Sequence, residues 1–327
     1  MRIAVTGSIA TDHLMTFPGR FAEQILPDQL AHVSLSFLVD TLDIRHGGVA
    51  ANIAYGLGLL GRRPVLVGAV GKDFDGYGEL LRTAGVDTDA VRVSERQHTA
   101  RFMCTTDEDG NQLASFYAGA MAEARDIDLG ETLRRPGGPD LVLVGADDPE
   151  AMVRHTRVCR ELGVRRAADP SQQLARLEGD SVRELVDGAE LLFTNAYERA
   201  LLLSKTGWTE AEVLDRVGTW ITTLGPKGCR IDTAGRPGIE SAAVPATDAA
   251  DPTGGGDAFR AGFLAALASG LEVVDAARAG AAMATFALES VGPQTYEVTR
   301  EGLHERLVAT YGPEAAVIAP ALFSGAL

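Results

Sequence analysis

Apolar positions along the chain fall into two rhythms. Short continuous runs recur at Ile3-Ala4-Val5, Val65-Leu66-Val67-Gly68, Leu141-Val142-Leu143-Val144, Leu191-Leu192-Phe193-Thr194 and Trp220-Ile221-Thr222-Thr223-Leu224. Each suits a strand buried on both faces. Between and after them lie longer stretches of helical character at 49–60, 77–84, 149–162, 258–267 and 273–288, with a further short strand at 166–168. This alternation predicts a mostly parallel, helix-covered sheet, in which ligands bind at the carboxyl ends of the strands. Four segments stand outside it. Residues 33–40, 42–45, 99–106 and 112–117 are rich in β-formers, and the last two are joined through Asp107-Glu108-Asp109-Gly110-Asn111, whose Asp-Gly step signals a hairpin. They predict a small accessory sheet whose uncovered edge and apolar face favour pairing between subunits.

Composition narrows the class. A length of 327 residues allows two domains or one large α/β domain, and 46% hydrophobic content supports a full core. A formal charge of −15 argues against a nucleic-acid partner, which needs a basic face, and reads instead as solubility. Cys104, Cys159 and Cys229 are widely spaced and without ligand pairs, so we expect reduced packing thiols and no zinc site. With no charged-then-apolar leader before Ile3 and no run of membrane-spanning length, a cytoplasmic location is expected, away from any membrane.

Candidate chemistry concentrates in Asp251-Pro252-Thr253-Gly254-Gly255-Gly256-Asp257. Three glycines let successive backbone N–H groups converge on one concavity, and the helix behind them adds the positive end of its dipole. Such a turn suits phosphate. A carboxylate at its mouth is repelled by bound phosphate, so Asp257 is either a base for an incoming hydroxyl or a helix N-cap. Other strand ends carry similar double readings. Asp12 is a solvated or capping carboxylate, or one with acceptors enough for both hydroxyls of a cis-diol. Asn52 is a first-turn polar residue or a hydroxyl ligand. Gln172 and Gln173 are solvated amides or readers of a base edge, and Phe102 and Phe116 are lid core or a stacking platform. Asn195 and Glu198 have the spacing of a capping box. Gly225-Pro226-Lys227-Gly228 makes a plain turn into 229–232 or a ligand loop. No G-x-x-x-x-G-K-[ST] occurs, which excludes a P-loop kinase, and Thr6-Gly7-Ser8-Ile9-Ala10 lacks the G-x-G-x-x-G of a dinucleotide-binding dehydrogenase.

The glycine turn is similar to the D-T-x-G-A-G-D signature of the ribokinase-like (PfkB) family of small-molecule kinases. Three more motifs follow that family's pattern: Gly47-Gly48-Val49-Ala50-Ala51-Asn52 resembles G-G-x-x-x-N, Asn195-Ala196-Tyr197-Glu198 resembles N-x-x-E, and Thr223-Leu224-Gly225-Pro226-Lys227-Gly228 resembles T-x-G-x-x-G. Residues 6–12, 33–40 and 168–173 look like the corresponding stretches of the mycobacterial-type bacterial adenosine kinases. The resemblance implies a ribokinase-like, Rossmann-type three-layer α/β/α sandwich spanning 1–327 as one domain, with a small β-sheet lid from segments near 10–46 and 97–119. It implies transfer of phosphate from ATP to the 5′-hydroxyl of adenosine, giving AMP and ADP, as in purine salvage. In that reading Asp257 is the general base, and Gly254, Gly255 and Gly256 hold the charge of the transferred group. Ser8, Asp12, Ser36, Gly48, Asn52, Gln172 and Gln173 surround the nucleoside, with Phe102 and Phe116 flanking adenine. Asn195, Thr223, Gly225, Lys227, Gly228 and Gly256 surround ATP. Glu198 holds Mg²⁺ through water, Asp251 lies beside a K⁺ site, and the lid sheet forms a homodimer. The chain departs from the family at Gly255, where alanine is usual, and at Pro252, where threonine is usual; the first loosens the empty turn and the second removes a backbone donor. A ribokinase- or fructokinase-like sugar kinase and a catalytically silent nucleoside sensor remain as alternatives.

Overall fold

The computed structural model describes residues 1–25 and 34–323. Its strands are β1 Ile3–Thr6, β2 Ala10–Thr16, β3 Thr41–Gly47, β4 Val65–Val70, β5 Asp87–Val93, β6 Ala100–Thr106, β7 Gln112–Tyr117, β8 Leu141–Val144, β9 Arg165–Ala168, β10 Leu191–Asn195, β11 Thr219–Thr223, β12 Cys229–Asp232 and β13 Ile239–Ser241. Nine form one sheet in the order β13-β12-β11-β10-β9-β8-β1-β4-β5, parallel from β11 to β5 and antiparallel at β11/β12 and β12/β13. Its central strands are buried on both faces. In β1, Ile3 and Val5 join the core under the helices Val49–Leu59, Gly255–Ala268 and Val273–Leu288, while Ala4 joins the core under Pro149–Glu161 and Gly179–Val186. Period-2 alternation in one strand thus feeds two apolar layers, which makes the three-layer ribokinase-like α/β/α arrangement. The two alanine-rich helices approach closely: a Cβ on Gly262 would meet the Ala279 carbonyl at 2.7 Å, and one on Gly280 the Phe259 carbonyl at 2.6 Å.

The smaller sheet runs β3-β2-β6-β7. It corrects one expected strand. Residues 34–39 of the predicted 33–40 strand are irregular, residue 33 lies outside the described residues, and β2 takes the fourth place. The β2 segment Ala10-Thr11-Asp12-His13-Leu14-Met15-Thr16 carries no clear strand pattern because it is half-buried and polar. The β6/β7 hairpin is as expected, its turn held by Asp107 Oδ1, which accepts from the amides of Asp109 and Asn111. Registers place Arg45, Asp12, Phe102 and Phe116 side by side across the four strands, so they share one face. Leu42, Ile44, Met15, Met103 and Leu113 belong to the opposite one. Elsewhere β5 and β13 were not foreseen, and 313–317 with Ile318–Phe323 give helical turns to the tail up to 323. All three cysteines are buried and free. Among the described residues no helix is long and apolar enough to cross a membrane.

Candidate active site

Asp257 sits in the first turn of Gly255–Ala268, whose cap is Gly254 at φ +80°. That backbone angle and a neighbour leave room for no other residue type: a Cβ on Gly254 would run into Pro293. The helix's own ladder begins with Ala258 N–H donating to Gly254 O at 2.8 Å, so the amides of Gly256 and Asp257 precede it and open toward the turn. Asp257 makes no cap bond. Its Oδ2 instead accepts from Asn52 Nδ2 at 2.8 Å, linking the glycine turn to the helix that follows Gly47-Gly48. Loss of surrounding water pushes the Asp257 carboxyl up to about 7, against the pull of Arg260 and the Asn52 hydrogen bond. A carboxylate near neutrality can take a proton and later release it.

Arg260 lies one turn beyond Asp257 and is buried. Its Nη2 donates to Asp169 Oδ1 at 2.7 Å, its Nε lies 2.5 Å from Asp169 Oδ2, and its Nη1 donates to the Gly256 carbonyl at 3.0 Å. The pair ties the start of the helix to the end of β9. The signal was present in the sequence: an arginine inside an alanine-rich helix requires a buried carboxylate partner.

A cavity of about 410 Å³ opens at the carboxyl ends of the strands. It brings together Ser8, Asp12, Gly48, Asn52, Phe102, Phe116, Gln172, Gln173, Gly254 and Asp257, as expected, and adds Arg176 and Thr253. Gly48 adopts φ +98°, and a Cβ there would strike the backbone of Ser8 and Ala10. Burial raises the Asp12 carboxyl, opposed by Arg45 and reinforced by Asp251. Gln173 donates to the Asp147 carbonyl at 2.6 Å, which fixes its amide. Ser8 Oγ is taken by the Val49 amide at 3.1 Å. Ser36 is exposed and does not line the cavity. A larger cavity of about 600 Å³ around Arg2, Arg62 and Asp87 lies at the opposite, amino ends of β1, β4 and β5, away from the 251–257 turn.

The remaining expected residues cluster apart from this cavity. Asn195 and Thr223 are register partners at the ends of β10 and β11, and Gly225, Lys227 and Gly228 form the tight turn into β12. The Asn195 and Glu198 pair is a complete capping box: Asn195 Oδ1 accepts from Glu198 N at 2.8 Å, and Glu198 Oε2 accepts from Asn195 N at 2.7 Å. Burial raises the Glu198 carboxyl, opposed by the Asn195 amide and Arg260. Glu198 Oε2 is held by the Asn195 amide and the carboxylate also meets the Ser171 hydroxyl, and it keeps acceptor sites for a water of a Mg²⁺ ion. No group of three or more metal-ligating side chains occurs among the described residues; Mg²⁺ beside nucleotide phosphates needs only one or two carboxylates and its waters, so the donor set fits. Asp251 is already engaged. Its Oδ2 accepts from Arg45 Nη1 at 2.7 Å and Gly292 N at 3.1 Å, and its Oδ1 from Thr253 N at 2.9 Å. The expected K⁺ therefore meets a carboxylate whose charge a guanidinium already balances.

Comparison with known proteins gives the family. Residues 7–300 match the family described as pfkB family carbohydrate kinase. The nucleoside kinase of Methanocaldococcus jannaschii is 31% identical over 265 residues, covering 80% of this chain and 85% of that protein. The ATP-dependent ribose-1-phosphate kinase of Halopiger xanaduensis is 31% identical over 67% of this chain and 72% of its own. The nucleoside kinase of Burkholderia thailandensis in complex with inosine superposes with a TM-score of 0.82 at 36% identity, covering 95% of this chain and 98% of that one. These relatives are nucleoside and sugar kinases and do not single out the mycobacterial-type adenosine kinases. With four motifs in order and the fold that carries them, the chain belongs to the pfkB family of carbohydrate kinases.

Proposed function

We propose that this chain is an ATP-dependent purine nucleoside kinase that phosphorylates the 5′-hydroxyl, with adenosine as its principal acceptor. The observation that carries the reading is one cavity with Asp257 at one end and Asp12, Phe102 and Phe116 on a single face of the lid at the other. Asp12 would accept from the two ribose hydroxyls, the aromatic pair would cover the base, and the 5′-hydroxyl would then point to Asp257. The Burkholderia enzyme's complex with inosine supports a purine nucleoside. Gln173, with its nitrogen committed to Asp147, offers its oxygen as an acceptor, which suits the amino group of adenine.

In the transfer step Asp257 takes the hydroxyl proton as the alkoxide oxygen forms its bond to phosphorus. The amides at the glycine turn and the dipole of Gly255–Ala268 stabilise the charge on the transferred group, so alignment and electrostatics supply the rate. Asn195, Thr223 and the 225–228 turn would hold ATP, and Glu198 would hold Mg²⁺ through water; the ion supplies charge neutralisation on the phosphates. A silent sensor would have no reason to keep Asp257 and the turn intact. The outward lid face, with Leu42 56% and Ile44 55% exposed, supports a second copy of this chain as partner.

Arg176 in the cavity favours one rival acceptor, a sugar phosphate, whose charge it would match. A coupled assay with MgATP across adenosine, inosine, guanosine, ribose, fructose and ribose 1-phosphate separates the two. Turnover on adenosine at least about tenfold above every sugar is expected, since base burial supplies more than 1.4 kcal/mol of differential binding. Higher turnover on ribose 1-phosphate than on any nucleoside would transfer the role of the lid aromatics to packing.

A further inference from the structure

Asp257 ends a buried chain of hydrogen bonds whose middle members, Gln294 and Tyr77, lie outside all four motifs. Asn52 Nδ2 donates to Asp257 Oδ2 at 2.8 Å, and Gln294 Nε2 donates to Asn52 Oδ1 at 2.8 Å. The same Gln294 nitrogen donates to Tyr77 Oη at 2.6 Å, and Tyr77 Oη donates to the Gly47 carbonyl at 2.8 Å. Gln294 and Tyr77 are only 5% and 3% exposed. The Tyr77 ring, on the helix Asp75–Thr83, stacks on His46 with centroids 4.2 Å apart.

One end of the chain fixes the direction of every bond in it. A backbone carbonyl only accepts, so Tyr77 spends its single hydrogen on Gly47. Gln294 must then turn its NH₂ to the Tyr77 oxygen, and the second hydrogen of that NH₂ goes to Asn52, which must present its carbonyl. The Asn52 NH₂ is left facing Asp257. The reverse orientation of Asn52 would set a carbonyl against a carboxylate on one side and two NH₂ donors against each other on the other.

We propose that Gln294 and Tyr77 are positioning residues for phosphoryl transfer: they hold Asn52 as a fixed donor to Asp257 Oδ2, which leaves Oδ1 as the oxygen that takes the proton of the acceptor hydroxyl. The inference rests on Asp257 being the general base. The hydroxyl O–H bond breaks toward Oδ1 and the freed oxygen pair bonds to the γ-phosphorus. The bond from that phosphorus to its bridging oxygen breaks, and ADP leaves with the electron pair. Because Oδ2 is held, the carboxyl cannot rotate to present either oxygen at random, and a base held in line is worth far more than one that must search. The other charged or titratable groups facing Asp257 are Arg260 on its own helix, Asp169 at the end of β9, Glu198 on Ala196–Thr206, and the phenols Tyr77 and Tyr296. Apart from the Tyr77 hydroxyl itself, none of these is altered by substitutions at Gln294 or Tyr77.

The test is Gln294→Met, which keeps length and volume, beside Tyr77→Phe, which keeps the ring, both assayed with MgATP and the nucleoside that the unaltered enzyme turns over fastest. Gln294→Met is expected to lower kcat by about 30-fold with the ATP KM within about twofold, as loss of alignment rather than of binding would do. The acidic limb of the kcat/KM profile should move to higher pH, since an unheld Asn52 no longer favours the charged carboxylate. Tyr77→Phe should move both quantities the same way by less. In an Asp257→Asn background, Gln294→Met should change the residual rate by less than about twofold, because both act through one group. Unaltered kcat and pH limb in folded Gln294→Met and Tyr77→Phe would overturn the proposal, as would full additivity with Asp257→Asn. If Gln294→Met does not fold, Tyr77→Phe decides by the same readouts. A fully active Asp257→Asn enzyme would instead sink the base reading itself, whereas an inert Gln294 substitution beside an inactive Asp257→Asn enzyme sinks only the positioning role.

Discussion

Two acidic residues stand in the first turns of two helices at the same edge of the large sheet, and the structure uses them differently. Glu198, at the start of Ala196–Thr206, closes a reciprocal capping box with Asn195. Asp257, at the start of Gly255–Ala268, caps nothing; the helix is capped by a left-handed glycine, and the carboxylate turns into a cavity toward an amide from another helix. An acid that satisfies its own helix improves the fold. An acid that leaves the helix's amides open, loses its water and gains a single oriented donor is arranged for chemistry; burial raises both carboxyls, so what separates the two is where each one's hydrogen bonds go. The spacing of Asn195 and Glu198 already suggested a cap, while the three glycines before Asp257 removed the side chains that would have competed for those amides.

The sharpest way to break this contrast is Asp257→Asn. It preserves shape and the open amides but cannot take a proton, so kcat should fall by about 10³-fold or more while ADP binding, measured by calorimetry, stays within about threefold. Near-normal turnover would make Asp257 as structural as Glu198.

The same carboxyl predicts opposed pH dependences of rate and stability. As a base it must be ionised, so kcat/KM should rise with pH through about 7. Its folded proton affinity is raised above the unfolded one, so the native state binds the extra proton between the two values and loses stability as pH climbs from the usual carboxylate range to about 7. Asp257→Asn escapes that loss. Its melting temperature should therefore equal or exceed that of the unaltered protein at pH 8, with the gap closing toward pH 4. A lower melting temperature at pH 8 would mean that the ionised carboxylate stabilises the fold.

Glu198→Gln gives the smaller counterpart. Glutamine also completes a capping box, so melting should change little, whereas the charge that the proposed Mg²⁺ waters would face is lost. The Mg²⁺ concentration for half-maximal rate should rise by about tenfold, in line with losing one outer ligand contact. Equal Mg²⁺ dependence with an unchanged fold would leave Glu198 as a cap alone.

What the sequence disclosed and withheld follows from range. The parallel core strands, the long helices, the β6/β7 hairpin and ten residues of the cavity wall were legible because apolar runs and glycine motifs are local signals. β2 is illegible in the sequence because the lid strand is half-solvated and only three residues separate it from β1. Gln294, Tyr77 and Arg260 act through partners far along the chain, up to 242 residues away for Gln294 and Asn52, and only the fold brings them together. Arg45 is the clearest such case, since a lid residue sits against the acid that opens the glycine turn.

That contact also yields the smallest expected effect. The resemblance placed K⁺ beside Asp251, but Arg45 is 2.7 Å from its Oδ2, with both side chains largely buried. A guanidinium in that position already supplies the positive charge that would steady the loop, so a monovalent cation has little left to neutralise there. Replacing K⁺ by tetramethylammonium at constant ionic strength should change kcat by less than about twofold in the unaltered enzyme, because the fixed charge nearby is unscreened at this depth. In Arg45→Met the acid is left uncompensated, and K⁺ should then raise kcat severalfold over tetramethylammonium. Strong K⁺ activation of the unaltered enzyme, with no further gain in Arg45→Met, would show that the cation and Arg45 do not share a role, and that Asp251 belongs with the structural acids rather than with Asp257.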